Sequence, residues 1–107
     1  MNIKSLREHL VIKVMGAKLC FDDEPYPFTI HWYEFPDGKK INVEDWNPPE
    51  NFEQAMRCLD TFDVGWCVKT YRDNNYSCRI GSHEPVIDKS KLMAMSLASA
   101  KATGWKE

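Results

Sequence analysis

Nothing that usually announces chemistry is concentrated in this sequence. The four cysteines, Cys20, Cys58, Cys67 and Cys78, are scattered and no two stand as CxxC, which argues against a zinc ribbon or a thioredoxin-type dithiol. The five glycines fall singly, at 16, 38, 65, 81 and 104, so no glycine-rich loop can cradle a phosphate and no GxSxG turn presents a nucleophile. No apolar run approaches the roughly 20 residues of a membrane-spanning helix, and residues 1–9 lack the apolar stretch of a signal peptide. Charge of one sign is missing too. The 14 basic residues face 16 acidic ones, for a formal net charge of −2, too balanced for a general nucleic-acid binder and too weakly acidic for a DNA mimic. His9, His31 and His83 do not form a metal-ligand motif. Asp22-Asp23-Glu24 lacks the roughly twelve-residue spread of a calcium loop and reads as a solvated acidic turn.

What is present is an ordinary globular balance. Of 107 residues, 43% are hydrophobic and 28% charged, with four Trp, four Tyr and five Phe to fill one modest core. One domain spanning 1–107 is expected. Leu6, Leu10, Val11, Val14 and Met15 recur at helical spacing, with Ser5 as a candidate N-cap, Glu8 three residues on, and Gly16 as a stop. Residues 18–21 are a short apolar run. Residues 28–35 read as a strand, with Phe28, Ile30 and Trp32 on one face and Thr29, His31 and Tyr33 on the other, and residues 40–43 pair back after the Pro36-Asp37-Gly38 turn. Asn51 and Gln54 mark the start of a helix bearing Phe52, Ala55, Met56, Leu59 and Phe62 on one face. Residues 66–71 and 76–80 alternate around Arg72-Asp73-Asn74-Asn75, a hairpin whose buried face is Trp66, Val68, Cys78 and Ile80. A last helix spans residues 89–103, carrying Leu92, Met93, Ser96, Leu97 and Ala100. The order α-β-β-α-β-β-α implies an α+β fold: a three-layer helix–sheet–helix sandwich with mainly antiparallel hairpins.

At Val11-Ile12-Lys13-Val14-Met15-Gly16, at Trp46-Asn47-Pro48-Pro49 leading into Phe52-Glu53-Gln54-Ala55-Met56, at Trp66 and Tyr71, and along the alanine-rich residues 93–102, the chain resembles the phage ABA sandwich domain family. It departs from that pattern at Ala17, where the family has Trp, and at His83-Glu84-Pro85-Val86-Ile87-Asp88. The resemblance implies helix–sheet–helix layers and a phage or prophage origin. It carries no catalytic set.

The candidate binding residues are aromatics interleaved with cations. His31 and Tyr33 share a strand face with Phe35. Lys39, Lys40 and Trp46 follow, and Tyr71, Arg72 and Tyr76 flank the second turn. Such groups suit a protein hot spot, or stacking on a base beside a paired phosphate. The competing reading is that this strand is buried on both faces. His83-Glu84 is a lesser loop candidate, and the four cysteines are expected to be buried and reduced. No catalytic residue, metal or cofactor is expected. With the phage resemblance, the composition points to a non-enzymatic, cytoplasmic accessory protein that inhibits a host defence by binding a host protein, as an anti-CRISPR does. The alternative is a small-ligand binder that sequesters a nucleotide immune signal, which would need a concave pocket with converging Arg, Lys and aromatic groups. A homodimer is expected through the small-residue face of the last helix or through the sheet edges.

Overall fold

The computed structural model describes residues 1–22 and 31–106. The expected acidic turn at Asp23 and Glu24 and the strand positions 28–30 lie outside the described residues.

Helix α1, Ile3–His9, runs on as a π-helical segment, Leu10–Val14. Its cap is Asn2, whose side-chain oxygen accepts from the Ser5 N–H at 3.0 Å. Ser5 is therefore not the cap. Its hydroxyl receives the indole N–H of Trp105 at 3.3 Å instead. Leu6, Leu10 and Val11 are buried, the i, i+4, i+5 stripe of an amphipathic helix.

Three strands follow: β1, Lys18–Phe21; β2, His31–Glu34; and β3, Lys40–Asn42. They form an antiparallel sheet in which Tyr33 sits opposite Leu19 on one side and Ile41 on the other. Lys18 and Glu34 form an ion pair across it at 3.2 Å. A turn at Val43–Asp45 and another at Pro48–Glu50 lead to helix α2, Phe52–Asp60. Asn51 caps α2, accepting from the Gln54 N–H at 3.0 Å. The Gln54 side chain bends back over the preceding loop, accepting from the Asn47 N–H and donating to the Asp45 carbonyl at 2.8 Å.

Strand β4, Trp66–Tyr71, turns through Arg72–Asn74 into β5, Asn75–Ile80. Asp73 (φ 59°) and Asn74 (φ 62°) adopt left-handed backbone, which short polar side chains tolerate at a tight turn. Strand β6, Val86–Asp88, adds to β5, and helix α3, Lys91–Ala102, closes the chain with Ser90 as its cap.

The fold is thus mixed α+β with helices packed on antiparallel sheets. Each expected hairpin gains a third strand, giving two three-stranded sheets. β1 arises from the apolar run at 18–21, and β6 from the residues before the last helix. β1 and β6 have four and three residues, too little alternation to read without a flanking turn signal, and only pairing with β2 and β5 defines them.

Helix α3 is the centre of the molecule. Ala94, Met95, Ser96, Leu97, Ala98, Ser99 and Ala100 are all buried. Leu97 and Ala100 face a cluster containing Leu6, Leu10, Trp46 and Trp105, while Ala94, Met95 and Ala98 face Leu59, Cys78 and Ile80. A helix buried all round needs no amphipathic stripe. Its serines donate into their own helix, Ser96 to the Leu92 carbonyl (2.8 Å) and Ser99 to that of Met95 (2.9 Å). The small-residue face expected to pair with a second copy is therefore consumed within the chain. After α3, Gly104 turns with φ 92° and Trp105 folds back into the core.

His9 ties α1 to the end of α3, its Nε2 lying 2.7 Å from Thr103 Oγ1. The Thr103 hydroxyl also lies within hydrogen-bonding distance of the Ser99 and Ala100 carbonyls. Burial, then the neighbouring Lys13, hold His9 below its usual 6.5, outweighing a backbone contact at Ala100. The unfolded chain therefore takes up this proton at higher pH than the folded one, and His9's share of stability is lost as pH falls through 6.5. Urea midpoints measured from pH 7.5 to 5.5 should fall less steeply for His9→Gln than for the parent. Parallel slopes would contradict this role.

Candidate functional site

Alternation along β4 puts Trp66 and Val68 toward the core and Cys67, Lys69 and Tyr71 on the opposite face. The register continues that outer face across the sheet. Cys67 is opposite Arg79, Lys69 is opposite Ser77, and Ser77 is in turn opposite Ile87. Lys69, Ser77 and Ile87 thus form one row across all three strands. Helix α3 packs on the other side, against Cys78, Ile80 and Val86.

The outer face is concave. Cys67, Lys69, Tyr71, Ser77, Arg79, Pro85 and Ile87 line a groove of about 380 Å³, within the range of about 300–1,000 Å³ for small-molecule sites. Its shape follows from side-chain size. Serine on the middle strand makes the floor, and the long side chains around it make the walls. Ser77 is only 4% exposed although it points away from the core, while Tyr71 and Ile87 stand half-exposed. The described lining residues carry two cations and no carboxylate, on a chain whose formal net charge is −2. Arg79 is oriented by the Gly81 carbonyl, which accepts from its Nε at 3.2 Å. The groove can hold an anion beside an aromatic ring.

The eight residues expected to form a binding surface divide among several places. Tyr71 lies in the groove. Arg72 is exposed in the adjoining turn, its carbonyl accepting from the Asn75 side chain. Tyr76 is on the opposite face of the sheet and packs against the core. His31, Lys39 and Lys40 are exposed on or beside the first sheet, with His31 edge-on to Phe21 and Lys40 lying 5.8 Å from the Trp32 ring centroid. Tyr33 and Trp46 require a correction. They are 5% and 1% exposed, because the Tyr33–Phe35 side of β2 faces the core and Trp46 is sandwiched behind it. The Trp46 ring lies 5.8 Å from that of Phe35, and its indole N–H donates to the Arg7 carbonyl at 3.0 Å.

Tyr33 and Trp46 do border a second depression of about 320 Å³, with Lys4, Arg7, Glu8, Val43 and Glu44. Its charges balance, and Arg7 is committed to the carbonyls of Trp46 (2.7 Å), Glu44 (3.3 Å) and Val43 (3.4 Å). Burial, with Glu8 nearby, pushes the Tyr33 phenol above its usual 10. This depression is part of a structural clamp and has less to offer an ion than the sheet groove.

Sequence reasoning missed Lys69, Ser77, Arg79 and Ile87, and it placed Cys67 in the core. The signal was available in part: if Trp66 and Val68 point inward, Cys67 and Lys69 point outward. Cys67 is exposed, and Cys20 half-buried. Cys58 and Cys78 are buried as expected, and burial pushes their thiols up to about 12 and about 11. Neither is a thiolate at neutral pH.

No family model matches the chain. No curated protein matches it either, so the likeness to the phage ABA sandwich family rests on the quoted residues alone. Among solved structures the chain is similar to a phage protein from Bacillus cereus ATCC 14579, with a TM-score of 0.60 over 94% of this chain and 90% of that one. At 10% sequence identity this is a likeness of fold.

Proposed function

We propose that this chain is a phage accessory protein, kin to the ABA sandwich domains, that acts by binding rather than catalysis, and that the groove on β4–β5–β6 holds a small anionic ligand. The observation that carries this reading is the concave sheet face on which Lys69, Arg79 and Tyr71 meet, with no carboxylate among the described residues lining it. These are the groups required for sequestering a nucleotide. In a phage-encoded protein such capture serves to blunt a host defence signal, and its place of action is the host cytoplasm.

The sequence alone favoured a host protein as the target. Burial of Tyr33 and Trp46 removes two of the aromatics on which that preference rested. One observation still supports it: Leu19 and Phe21, 51% and 57% exposed on β1 beside His31, leave an apolar stretch of the first sheet open to a partner.

Melting the protein with a panel of nucleotides at constant ionic strength tests the main reading. A ligand at a hundred times its Kd adds about 2.7 kcal/mol to the native state, which raises Tm by several degrees, and Tyr71→Ala should diminish the shift. An unchanged Tm across the panel at millimolar concentration would reject it.

A further inference from the structure

The floor of the groove holds a polar group without a partner. Ser77 is more than nine-tenths buried and lines the groove, and no described residue hydrogen-bonds its hydroxyl. Its oxygen keeps access to the groove, so it can bond a ligand without breaking a bond inside the protein. Across the row lies Lys69, and two residues along the same strand lies Arg79. Lys69 and Arg79 are thus the neighbours of Ser77 on the same face of the sheet, one across the strands and one along its own. The Arg79 Nη groups have no described partner, since only Nε is held, by Gly81.

We infer that Ser77, Lys69 and Arg79 are the seat of a phosphate monoester, with Tyr71 and Ile87 receiving the ring that carries it: a ligand with the chemistry of a nucleoside monophosphate. The inference rests on the small-ligand reading above and narrows it. Three donor-bearing residues line one groove, and a phosphate monoester offers three terminal oxygens where a carboxylate offers two. Its charge of about −1.5 to −2 at neutral pH matches the two cations. Tyr71 lies on the same face of β4 as Lys69, and Ile87 closes the opposite wall. A planar base laid between them covers two half-exposed apolar side chains while its phosphate reaches the floor. The sheet face discriminates by phosphate, and the walls are tolerant of the base.

Calorimetric titration at constant ionic strength tests this with the common nucleoside monophosphates, their parent nucleosides, inorganic phosphate and adenosine 5′-carboxylate. The monophosphates should bind, and the nucleosides and the carboxylate should bind at least about tenfold more weakly, the value of one hydrogen bond to a charged group. Ser77→Ala should lose about the same factor for the monophosphates and leave nucleoside binding unchanged. Its Tm, within a few degrees of the parent's, shows that the fold is intact. If the carboxylate binds as tightly as the phosphate, or Ser77→Ala binds as the parent does, the phosphate seat is wrong while the small-ligand reading survives. If none of the probes binds, both are wrong.

Discussion

Replacing Trp46 by alanine should cost about 3–5 kcal/mol, the usual range for emptying a tryptophan site in a core. Trp46 is 1% exposed and joins three parts of the chain. Its ring packs against Phe35, its indole N–H is held by the Arg7 carbonyl, and its own carbonyl receives the Arg7 side chain at 2.7 Å. The substitution leaves a cavity bordered by α1 and the first sheet and removes one of the donors to the Arg7 carbonyl, which keeps the Leu10 N–H. A chain of this size has about 5–15 kcal/mol of stability in all, so the variant should be partly unfolded at 37 °C and its urea midpoint should fall steeply. A loss below about 1 kcal/mol, the level of an ordinary surface change, would mean that Trp46 is not in the core. The same measurement separates a structural role from a binding role, because Trp46 does not line the groove on β4–β5–β6.

Reversing both groove charges, Lys69→Glu with Arg79→Glu, should abolish ligand binding and leave the fold standing. Each cation that contacts an anion contributes about 1.5–3 kcal/mol. Losing two such contacts and introducing repulsion should weaken nucleoside monophosphate binding by at least about a hundredfold. Both side chains are exposed, and the Arg79–Gly81 hydrogen bond lies at the surface, so stability should change by only about 0.5 kcal/mol. Equilibrium dialysis against a labelled monophosphate reads the first quantity and a urea melt the second. Unaltered binding in the doubly reversed variant would remove the electrostatic basis of the site.

The parts of the fold legible in the sequence were those with a local cause. The β4–β5 hairpin follows from alternation on both sides of a turn whose polar residues accept left-handed backbone, although that backbone falls at Asp73 and Asn74, one residue ahead of the Asn-Asn pair. α2 starts where Asn51 can cap it. The parts that were not legible have non-local causes. β6 exists because Tyr76, Ser77 and Cys78 pair with Asp88, Ile87 and Val86, and unlike β3 it has no hairpin turn signal to announce it. The Tyr33 side of β2 is buried because the core, and not water, lies against it, which an alternating strand cannot declare. Phe52 shows the same limit in reverse. It falls on the expected apolar face of α2, yet it stands exposed beneath the Lys91 ammonium.

The groove stands between these cases. Lys69 and Tyr71 could be placed on one face from β4 alone. Adding Arg79 required the hairpin register, adding Ile87 required β6, and seeing that Ser77 is a floor required all three strands at once. The aromatics that drew notice in the sequence were the conspicuous ones, and two of them, Tyr33 and Trp46, are conspicuous because cores need large side chains.

The decisive measurement is an amide NMR titration of the protein with a nucleoside monophosphate at constant ionic strength. Saturable shifts centred on residues 67–71, 77–79 and 85–87, with the amides around Arg7 and Trp46 unmoved, are the predicted result. Shifts centred on the Arg7–Trp46 depression or on β1, or no shifts at millimolar ligand, would contradict a binding site on the outer face of the second sheet.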